Sequence, residues 1–262
     1  MTPGSSAAPN NKPLLDINEV TKRFDGVTAV NQVDMSIKRG ELISLIGPNG
    51  SGKTTMFNCI TGFLRPEEGK IIFKNEDITQ ERPDKIALRG ISRTFQNLRI
   101  LPGLTVFENL MVALQQHQED NLLKRSLHSR SIRRLERESQ ETIYALMEEV
   151  GLIDLANEEA HNLVYGQRKL LEFACALVPE PDLVMLDEPA AGVNATMVDQ
   201  MKQQIVDRNQ KGETFLVVEH NMGVVMDISQ HIVVLDYGKK IAEGTPAQIQ
   251  NNELVREAYF GK

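Results

Sequence analysis

Residues 45–56 read LIGPNGSGKTTM, and their types and spacing suit a loop that binds phosphate groups. The glycines let the backbone curl so that successive N–H groups point inward, and a helix beginning near Lys53 adds its positive end. We expect Lys53 to reach the β- and γ-phosphates of a nucleoside triphosphate and the Thr54 hydroxyl to hold Mg²⁺. The candidate nucleotide-binding residues of this loop are Gly47, Pro48, Asn49, Gly50, Ser51, Gly52, Lys53, Thr54 and Thr55.

A second candidate site is the apolar run DLVMLDEP at residues 182–189, which ends in two acids. A buried strand of this kind delivers Asp187 and Glu188 to the carboxyl edge of an open α/β sheet, where such sheets bind their ligands. Asp187 is the expected Mg²⁺ ligand. Glu188 is free to orient or deprotonate a water molecule, although a strand followed by an acidic turn is common in isolation.

Composition narrows the class of protein. The chain has 262 residues, of which 41% are hydrophobic and 25% charged, so a packed core is expected. A net charge of −7 argues against nucleic acid as the main partner. The two cysteines, Cys59 and Cys175, lie in apolar helical patterns and predict buried thiols in a reducing cytosol. The apolar runs are too short to span a membrane, and residues 1–13 are expected to form a flexible tail.

The order of apolar patterns predicts an α/β fold in which a helical lobe interrupts a nucleotide-binding core. Two alternating segments meet at Asp25–Gly26 and predict an antiparallel β subdomain. From about residue 97 to 176 the strand pattern is replaced by helical periodicity. Parallel-sheet strands then return as DLVMLD, TFLVVEH and HIVVLDYGK, and the segment from residue 245 onward predicts helix.

With these motifs in this order, residues 14–262 resemble the ATPase domain of ABC transporters, which has a P-loop NTPase core. The two loops match the Walker A and Walker B motifs of that family. The family's signature segment, typically L-S-G-G-Q, is represented here by LVYGQ, with Leu163 at its start. By resemblance, Val164, Tyr165, Gly166 and Gln167 contact the γ-phosphate of ATP held by a second ATPase subunit.

Three further residues take roles from the resemblance. Phe24 matches an aromatic residue that stacks on adenine, although a core strand residue is an alternative interpretation. Gln96 matches the glutamine that senses Mg²⁺ and the attacking water. His220, placed at the end of the strand TFLVVEH, matches the histidine that contacts the γ-phosphate. The implied catalytic set is therefore Glu188, His220, Gln96 and Lys53, and the metal set is Thr54, Gln96 and Asp187.

The signature YGQ, the sequence DEPAAGVN and the C-terminal segment are similar to ATPases of branched-chain or hydrophobic amino-acid importers. This branch implies ATP and Mg²⁺, a peripheral position at the cytoplasmic face of the inner membrane, and indirect association with a solute-binding protein. Membrane permease subunits are expected to dock in a groove near 96–110. Urea or amide importers, lipopolysaccharide-type exporters and, least favoured, soluble ABC-type ATPases remain alternatives, as do a homodimer and a heterodimer.

Two segments depart from the simple pattern. Val164 replaces the signature serine, which removes one hydroxyl donor to the partner's nucleotide and should affect the site that the partner's Walker A forms. The charged stretch 115–140 has two interpretations: it could lie near anionic lipid headgroups, or it could be a solvated helical hairpin, which we favour.

Overall fold

Two β-sheets and a set of helices make up the fold. The computed structural model describes residues 12–94, 100–116 and 129–260. The strands among these residues are β1 (Leu15–Phe24), β2 (Val27–Ile37), β3 (Leu42–Ile46), β4 (Glu68–Phe73), β5 (Glu76–Asp77), β6 (Ile91–Arg93), β7 (Leu183–Asp187), β8 (Phe215–Val218), β9 (His231–Asp236) and β10 (Lys239–Gly244). The helices are α1 (Lys53–Ile60), α2 (Pro83–Leu88), α3 (Val106–Gln116), α4 (Ser129–Val150), α5 (Tyr165–Leu177), α6 (Ala195–Gln210), α7 (Met222–Ile228), α8 (Pro246–Gln250) and α9 (Glu253–Phe260).

The larger sheet has the spatial order β10-β9-β3-β8-β7-β6 and is parallel except for the β9–β10 pair. The strand β3 lies inside it, and all five of its residues are buried. A strand covered on both faces reads as an unbroken apolar run, which explains LISLI. The loops that follow β3, β7 and β8 therefore emerge at the same edge of the sheet.

Alternate residues of this sheet enter two different cores. Leu186, Phe215 and Val217 pack with the helices α3, α4 and α5 on one face. Leu216 and Val218 pack on the other face with α1 and with the smaller sheet, whose antiparallel order is β2-β1-β4-β5. This alternation follows from the two-residue period of a strand. The helices and the antiparallel sheet thus clamp the parallel sheet between them.

The structure corrects several predicted elements. The run GKIIFKNEDI at residues 69–78, whose apolar pattern predicts one strand, is divided into β4 and β5 by Lys74 and Asn75, both with positive φ. The strand predicted as HIVVLDYGK ends at Asp236, and a turn at Tyr237–Gly238 leads into β10, which sequence analysis missed. The C-terminal segment forms the separate helices α8 and α9. Hydrophobic periodicity alone did not reveal these breaks, although Asn75 and Gly238 are residue types that favour turns.

The remaining predictions concern the two cysteines, the charged stretch, Gln96 and membrane-spanning segments. Cys59 and Cys175 are free thiols, as predicted; Cys59 is also buried as predicted, whereas Cys175 is only partly buried. Residues 117–128 of the charged stretch 115–140, and Gln96, lie outside the described residues; the remainder of the stretch belongs to α3 and α4. Among those that are described, no helix combines the length and apolar character needed to cross a membrane.

Candidate functional site

The phosphate loop joins the end of β3 to the start of α1, and two of its glycines leave no room for a side chain. A Cβ atom on Gly47 would lie 2.1 Å from the Leu235 carbonyl oxygen. A Cβ on Gly52, whose φ is +103°, would lie 2.3 Å from the Ala29 carbonyl oxygen. The neighbouring strands β9 and β2 therefore hold the loop in one shape, which only glycine permits at these positions.

Lys53 is the first residue of α1 and is only 7% exposed. Its ammonium Nζ donates hydrogen bonds to the carbonyl oxygens of Gly47 at 2.8 Å and Pro48 at 3.0 Å. Burial lowers the pKa of Lys53, while the negative charges of Glu188 and Asp187 partly oppose that shift. A desolvated cation held by neutral oxygens is well suited to bind an anion.

The phosphate loop also carries two hydroxyl groups, those of Ser51 and Thr54. The Oγ atom of Ser51 is buried and has no hydrogen-bond partner among the described residues, whereas Thr54 is exposed beside Lys53. Together with the free N–H groups at the start of a helix, these groups give the loop polar atoms that a phosphate ligand can satisfy. The residues of this loop thus fit a nucleotide.

The C-terminal helix α9 also reaches the phosphate loop, a contact that sequence analysis missed. Burial raises the pKa of Tyr259 to about 12, and a backbone interaction with Gly47 partly opposes the shift. By geometry the Tyr259 hydroxyl has no hydrogen-bond partner among the described residues. Val255 and Tyr259 of α9 pack in the same apolar cluster as Ile46, the residue before Gly47, so the C-terminal segment lies beside the phosphate loop.

The acid pair lies at the end of β7. Asp187 is buried, and its N–H donates to Thr94 Oγ1 at 3.0 Å. Burial raises the pKa of Asp187, and the positive charge of Arg93, whose Nη2 lies 3.9 Å from Oδ2, opposes the shift only in part. A divalent cation would favour the ionised form of this carboxylate, so the donor set of Asp187 and the Thr54 hydroxyl suits Mg²⁺, which usually takes its other ligands from phosphates and water.

Glu188 has a φ of +49°, a left-handed conformation that is uncommon for a glutamate. Its N–H donates to the Val218 carbonyl oxygen at 2.8 Å, which ties the turn to β8. The carboxylate Oε1 of Glu188 lies 3.5 Å from Nδ1 of His220. The structure thus brings Glu188 and His220 together. The strand predicted as TFLVVEH ends at Val218, so His220 lies two residues beyond the observed end of β8 and not at its end as predicted.

The residue between that strand and His220, Glu219, was missed by sequence analysis. It is 1% exposed, and its Oε1 accepts a hydrogen bond from Ala190 N–H at 3.0 Å. Its Oε2 accepts from the N–H groups of His220 at 3.2 Å and Asn221 at 3.4 Å. One buried carboxylate therefore fixes the loop after Glu188 to the loop that carries His220. A glutamate inside a strand-to-loop pattern gave no sequence signal for this role.

The signature segment precedes and begins α5. Val164 is 66% exposed, and its N–H donates to Gln167 Oε1 at 3.0 Å. The valine side chain cannot return a capping hydrogen bond, so the first N–H groups of the helix remain available to a ligand. Among the described residues, no hydrogen bond or ion pair joins this segment to the phosphate loop of the same chain. Its Tyr165 and Gly166 instead contact the chain around Gly192 and Met197.

Phe24 lies at the end of β1 and is 42% exposed, with Lys22 Nζ 5.3 Å from its ring centroid. An exposed aromatic ring on the strand pair that supplies Ala29 to the phosphate loop is available for stacking on a planar ligand. It is not a core residue, which was the alternative interpretation.

A phosphate loop beside an acid pair and a histidine, all at one edge of a parallel sheet, defines a P-loop nucleotide-binding protein. The chain belongs to the ABC transporter family, whose model matches residues 30–191. A second family model, described as branched-chain amino acid ATP-binding cassette transporter, matches residues 239–262. As a member of the ABC transporter family, the chain is an ATPase that is coupled to transport.

Individual proteins agree with this assignment. The high-affinity branched-chain amino acid transport ATP-binding protein BraF of Pseudomonas aeruginosa is 43% identical over 96% of this chain and 99% of its own length. A solved ATP-binding cassette of an ABC transporter in its ADP conformation matches with a TM-score of 0.82 and 32% identity over 96% of this chain and all of its own. A dimeric bacterial ABC transporter cassette matches with a TM-score of 0.76 and 25% identity over 88% of this chain and 98% of its own.

The geometry around Glu219 predicts that Glu219→Gln slows ATP hydrolysis without weakening ATP binding. The amide offers one acceptor oxygen in place of two, so its NH₂ group must face a backbone N–H on one of the two loops. We expect kcat to fall at least tenfold, because about 1–3 kcal/mol is lost when a buried polar group is mispaired, while the ATP dissociation constant stays within about twofold.

Steady-state ATPase assays and equilibrium binding of a fluorescent ATP analogue measure the two quantities. The matched control is Glu243→Gln, which removes a surface carboxylate paired with His231 and Lys240. A Glu219→Gln variant with wild-type kcat would show that the bridge does not position the catalytic loops.

Proposed function

We propose that this chain is the ATP-hydrolysing subunit of an ABC importer for branched-chain or other neutral amino acids, bound peripherally at the cytoplasmic face of the inner membrane. The observation that carries the choice of substrate is the match of residues 239–262 to the branched-chain amino acid cassette model. That segment includes Tyr259, which packs in an apolar cluster with Ile46, the residue before the phosphate loop. The name of the Pseudomonas aeruginosa relative supports the same choice.

ATP is the substrate of the proposed reaction. Phe24 stacks on the adenine, and the backbone of 47–52 surrounds the β-phosphate. The ammonium of Lys53 exchanges its two carbonyl partners for phosphate oxygens, which bear charge and form stronger hydrogen bonds. The helix start at Lys53 adds further positive potential at the same position.

Mg²⁺, when bound, supplies positive charge to the β- and γ-phosphate oxygens, and Thr54, Asp187 and Gln96 are the residues proposed to hold it. The guanidinium of Arg93 lies 3.9 Å from the Asp187 carboxylate, which is long for an ion pair. A cation bound closer to this carboxylate would therefore stabilise its negative charge further. No cluster of three or more metal-binding side chains exists among the described residues. Magnesium sites completed by phosphates and water do not need one.

Hydrolysis requires a water molecule held in line with the γ-phosphorus. Glu188, with a side chain 25% exposed, is proposed to orient that water and accept its proton. His220 lies within 3.5 Å of Glu188 and donates toward the charge that develops on the γ-phosphate. Glu219 holds both loops, so neither group must be reorganised during the reaction.

The signature segment of each chain is proposed to act on ATP bound by a second ATPase subunit. Val164, Tyr165, Gly166 and Gln167 surround the N-terminal end of α5, where backbone donors favour an anion. Within the part of the chain that the structure describes, this segment makes no hydrogen bond or ion pair with the chain's own phosphate loop, which is compatible with an action across a dimer. The partner is either a copy of this chain or a related ATPase.

A groove beside α2, α3 and α5 is the proposed docking site for the membrane permease. Its volume is about 580 Å³, and its rim includes Phe63 and Leu101, each 44% exposed. Arg93 and Glu172 lie in its lining. Arg93 also faces Asp187, the carboxylate proposed to bind Mg²⁺. A permease segment in this groove would therefore contact a residue that itself contacts Asp187.

The first test is Glu188→Gln, which keeps the shape of the side chain and removes the proposed base. We expect unchanged ATP affinity, an ATP-trapped dimer in sedimentation, and hydrolysis below a tenth of the wild-type rate, within the ~10²–10⁴-fold contribution of a general base. The matched control is Glu180→Gln, since Glu180 has a similar φ of +52° but lies in the loop before β7. More than a tenth of the wild-type rate in the Glu188 variant would refute its role.

The same pair of variants tests the substrate. Cells that lack the gene and carry either variant are assayed for uptake of radiolabelled leucine, isoleucine and valine. We expect uptake with Glu180→Gln and none with Glu188→Gln. Uptake that is unaffected by Glu188→Gln would contradict amino-acid import, and accumulation of a cell-surface precursor inside the cell would indicate an exporter.

The groove predicts a separate variant, Val112→Glu, which places a carboxylate in an apolar part of the lining near Glu172. We expect at least tenfold less permease in affinity purification of the chain, and little or no stimulation of ATPase by the membrane subunits. Leu254→Glu is the control, because Leu254 is an exposed apolar residue on α9, outside the groove. Normal co-purification of the Val112 variant would place the docking surface elsewhere.

A further inference from the structure

The ring of Tyr165 in the signature segment is seated on Gly192, in the loop between β7 and α6. A Cβ atom on Gly192 would lie 3.1 Å from Cε1 of Tyr165 and 3.4 Å from its hydroxyl oxygen. The hydroxyl donates to the Ala191 carbonyl oxygen at 3.5 Å. A side chain at position 192 would push the ring away by a few tenths of an ångström, and the φ of +73° at Gly192 also disfavours any residue other than glycine.

The next residue of the signature segment makes a second contact with the same part of the chain. A Cβ on Gly166 would lie 3.0 Å from Cε of Met197. Met197 is held at the start of α6, where its N–H donates to the capping Asn194 Oδ1 at 2.9 Å. Two consecutive signature residues therefore rest on the segment 191–197.

That segment is continuous with the catalytic loop. Ala190 precedes the contact and is held by Glu219, which also holds the His220 loop. Glu188 lies two residues earlier. A displacement of the Tyr165 ring would therefore act on a loop that is fixed to both proposed catalytic side chains.

The contact contributes little to core packing. Tyr165 remains 47% exposed, and its hydrogen bond is long at 3.5 Å. A ring that is half in solvent buries much less apolar area than a core aromatic residue. Its position is better explained by what it connects than by the stability that it adds.

We propose that Tyr165 is a positioning residue that couples the two ATP sites of the dimer: its ring joins the signature segment, which serves the partner's ATP, to the loop that carries Glu188, which serves this chain's own ATP. The inference rests on the proposed function, in which the signature segment acts across the dimer. Coupling of this kind is a free energy shared between two sites, and it is measurable from non-additive variants.

The test is a double-mutant cycle in the reconstituted transporter with Tyr165→Ala, Gly192→Ala and the double variant. Alanine at 165 keeps the Cβ and the helix propensity but removes the ring. Any strain from the positive φ of Gly192 is common to both halves of the cycle and cancels. We expect Gly192→Ala to lower kcat at least tenfold when Tyr165 is present and no more than twofold when it is absent. This fivefold non-additivity corresponds to about 1 kcal/mol of coupling.

Two further measurements separate positioning from structural support. Tyr165→Phe keeps the ring, so it should retain the full sensitivity to Gly192→Ala. The ATP dissociation constant and the free energy of unfolding are measured for every variant, and the non-additivity should appear in kcat and not in the affinity. Tyr144→Ala, which removes another half-exposed tyrosine ring on α4, is the surface control.

Additive effects on kcat would overturn the coupling, and so would a non-additivity confined to the free energy of unfolding. Both results require a wild-type transporter that hydrolyses ATP. A wild-type complex with no ATPase activity would instead contradict the proposed function, so the two failures are distinguishable.

Discussion

The ammonium of Lys53, buried and hydrogen-bonded to the carbonyl oxygens of its own loop, is the constraint on which the rest of the site depends. Burying a charge is costly unless hydrogen bonds replace water. The loop can supply those carbonyls only because Gly47 and Gly52 let it pass against Leu235 and Ala29. The packing of β9 and β2 therefore sets the position of a charge at the end of β3. A phosphate is a better partner for that charge than the carbonyls are.

The carboxylates of the site are subject to the same cost of burying a charge as Lys53, although their charge is negative. Burial raises the pKa of Asp187. The guanidinium of Arg93, 3.9 Å away, compensates only in part for the lost water. Glu188 is fixed by backbone contacts in an uncommon conformation, and both carboxylate oxygens of Glu219 accept hydrogen bonds from backbone N–H groups. Conformational strain and buried charge both concentrate where a charged substrate would bind, which is usual for functional sites.

Sequence predicted those features that are local in the chain. The phosphate loop and the Asp187–Glu188 pair are contiguous, so spacing and hydrophobic pattern were sufficient to locate them. The β9–β10 hairpin was missed because HIVVLDYGK was interpreted as one strand, although Tyr237 and Gly238 both adopt a positive φ and Gly238 favours a turn. Glu219 was missed because its partners lie on two separate loops, and the Tyr165–Gly192 contact joins residues 27 positions apart. Such tertiary hydrogen bonds and close contacts leave no periodic trace in a single sequence.

The affinity of Lys53→Met for ATP tests the central claim most directly. Methionine has nearly the same length as lysine and no charge, so the loop should keep its shape, and removing a buried cation should not lower the free energy of unfolding. We expect ATP to bind about tenfold to a hundredfold more weakly, from the loss of charge-assisted hydrogen bonds worth about 1.5–3 kcal/mol. The exposed Lys38→Met serves as the control. Wild-type ATP affinity in a stably folded Lys53→Met protein would contradict the account.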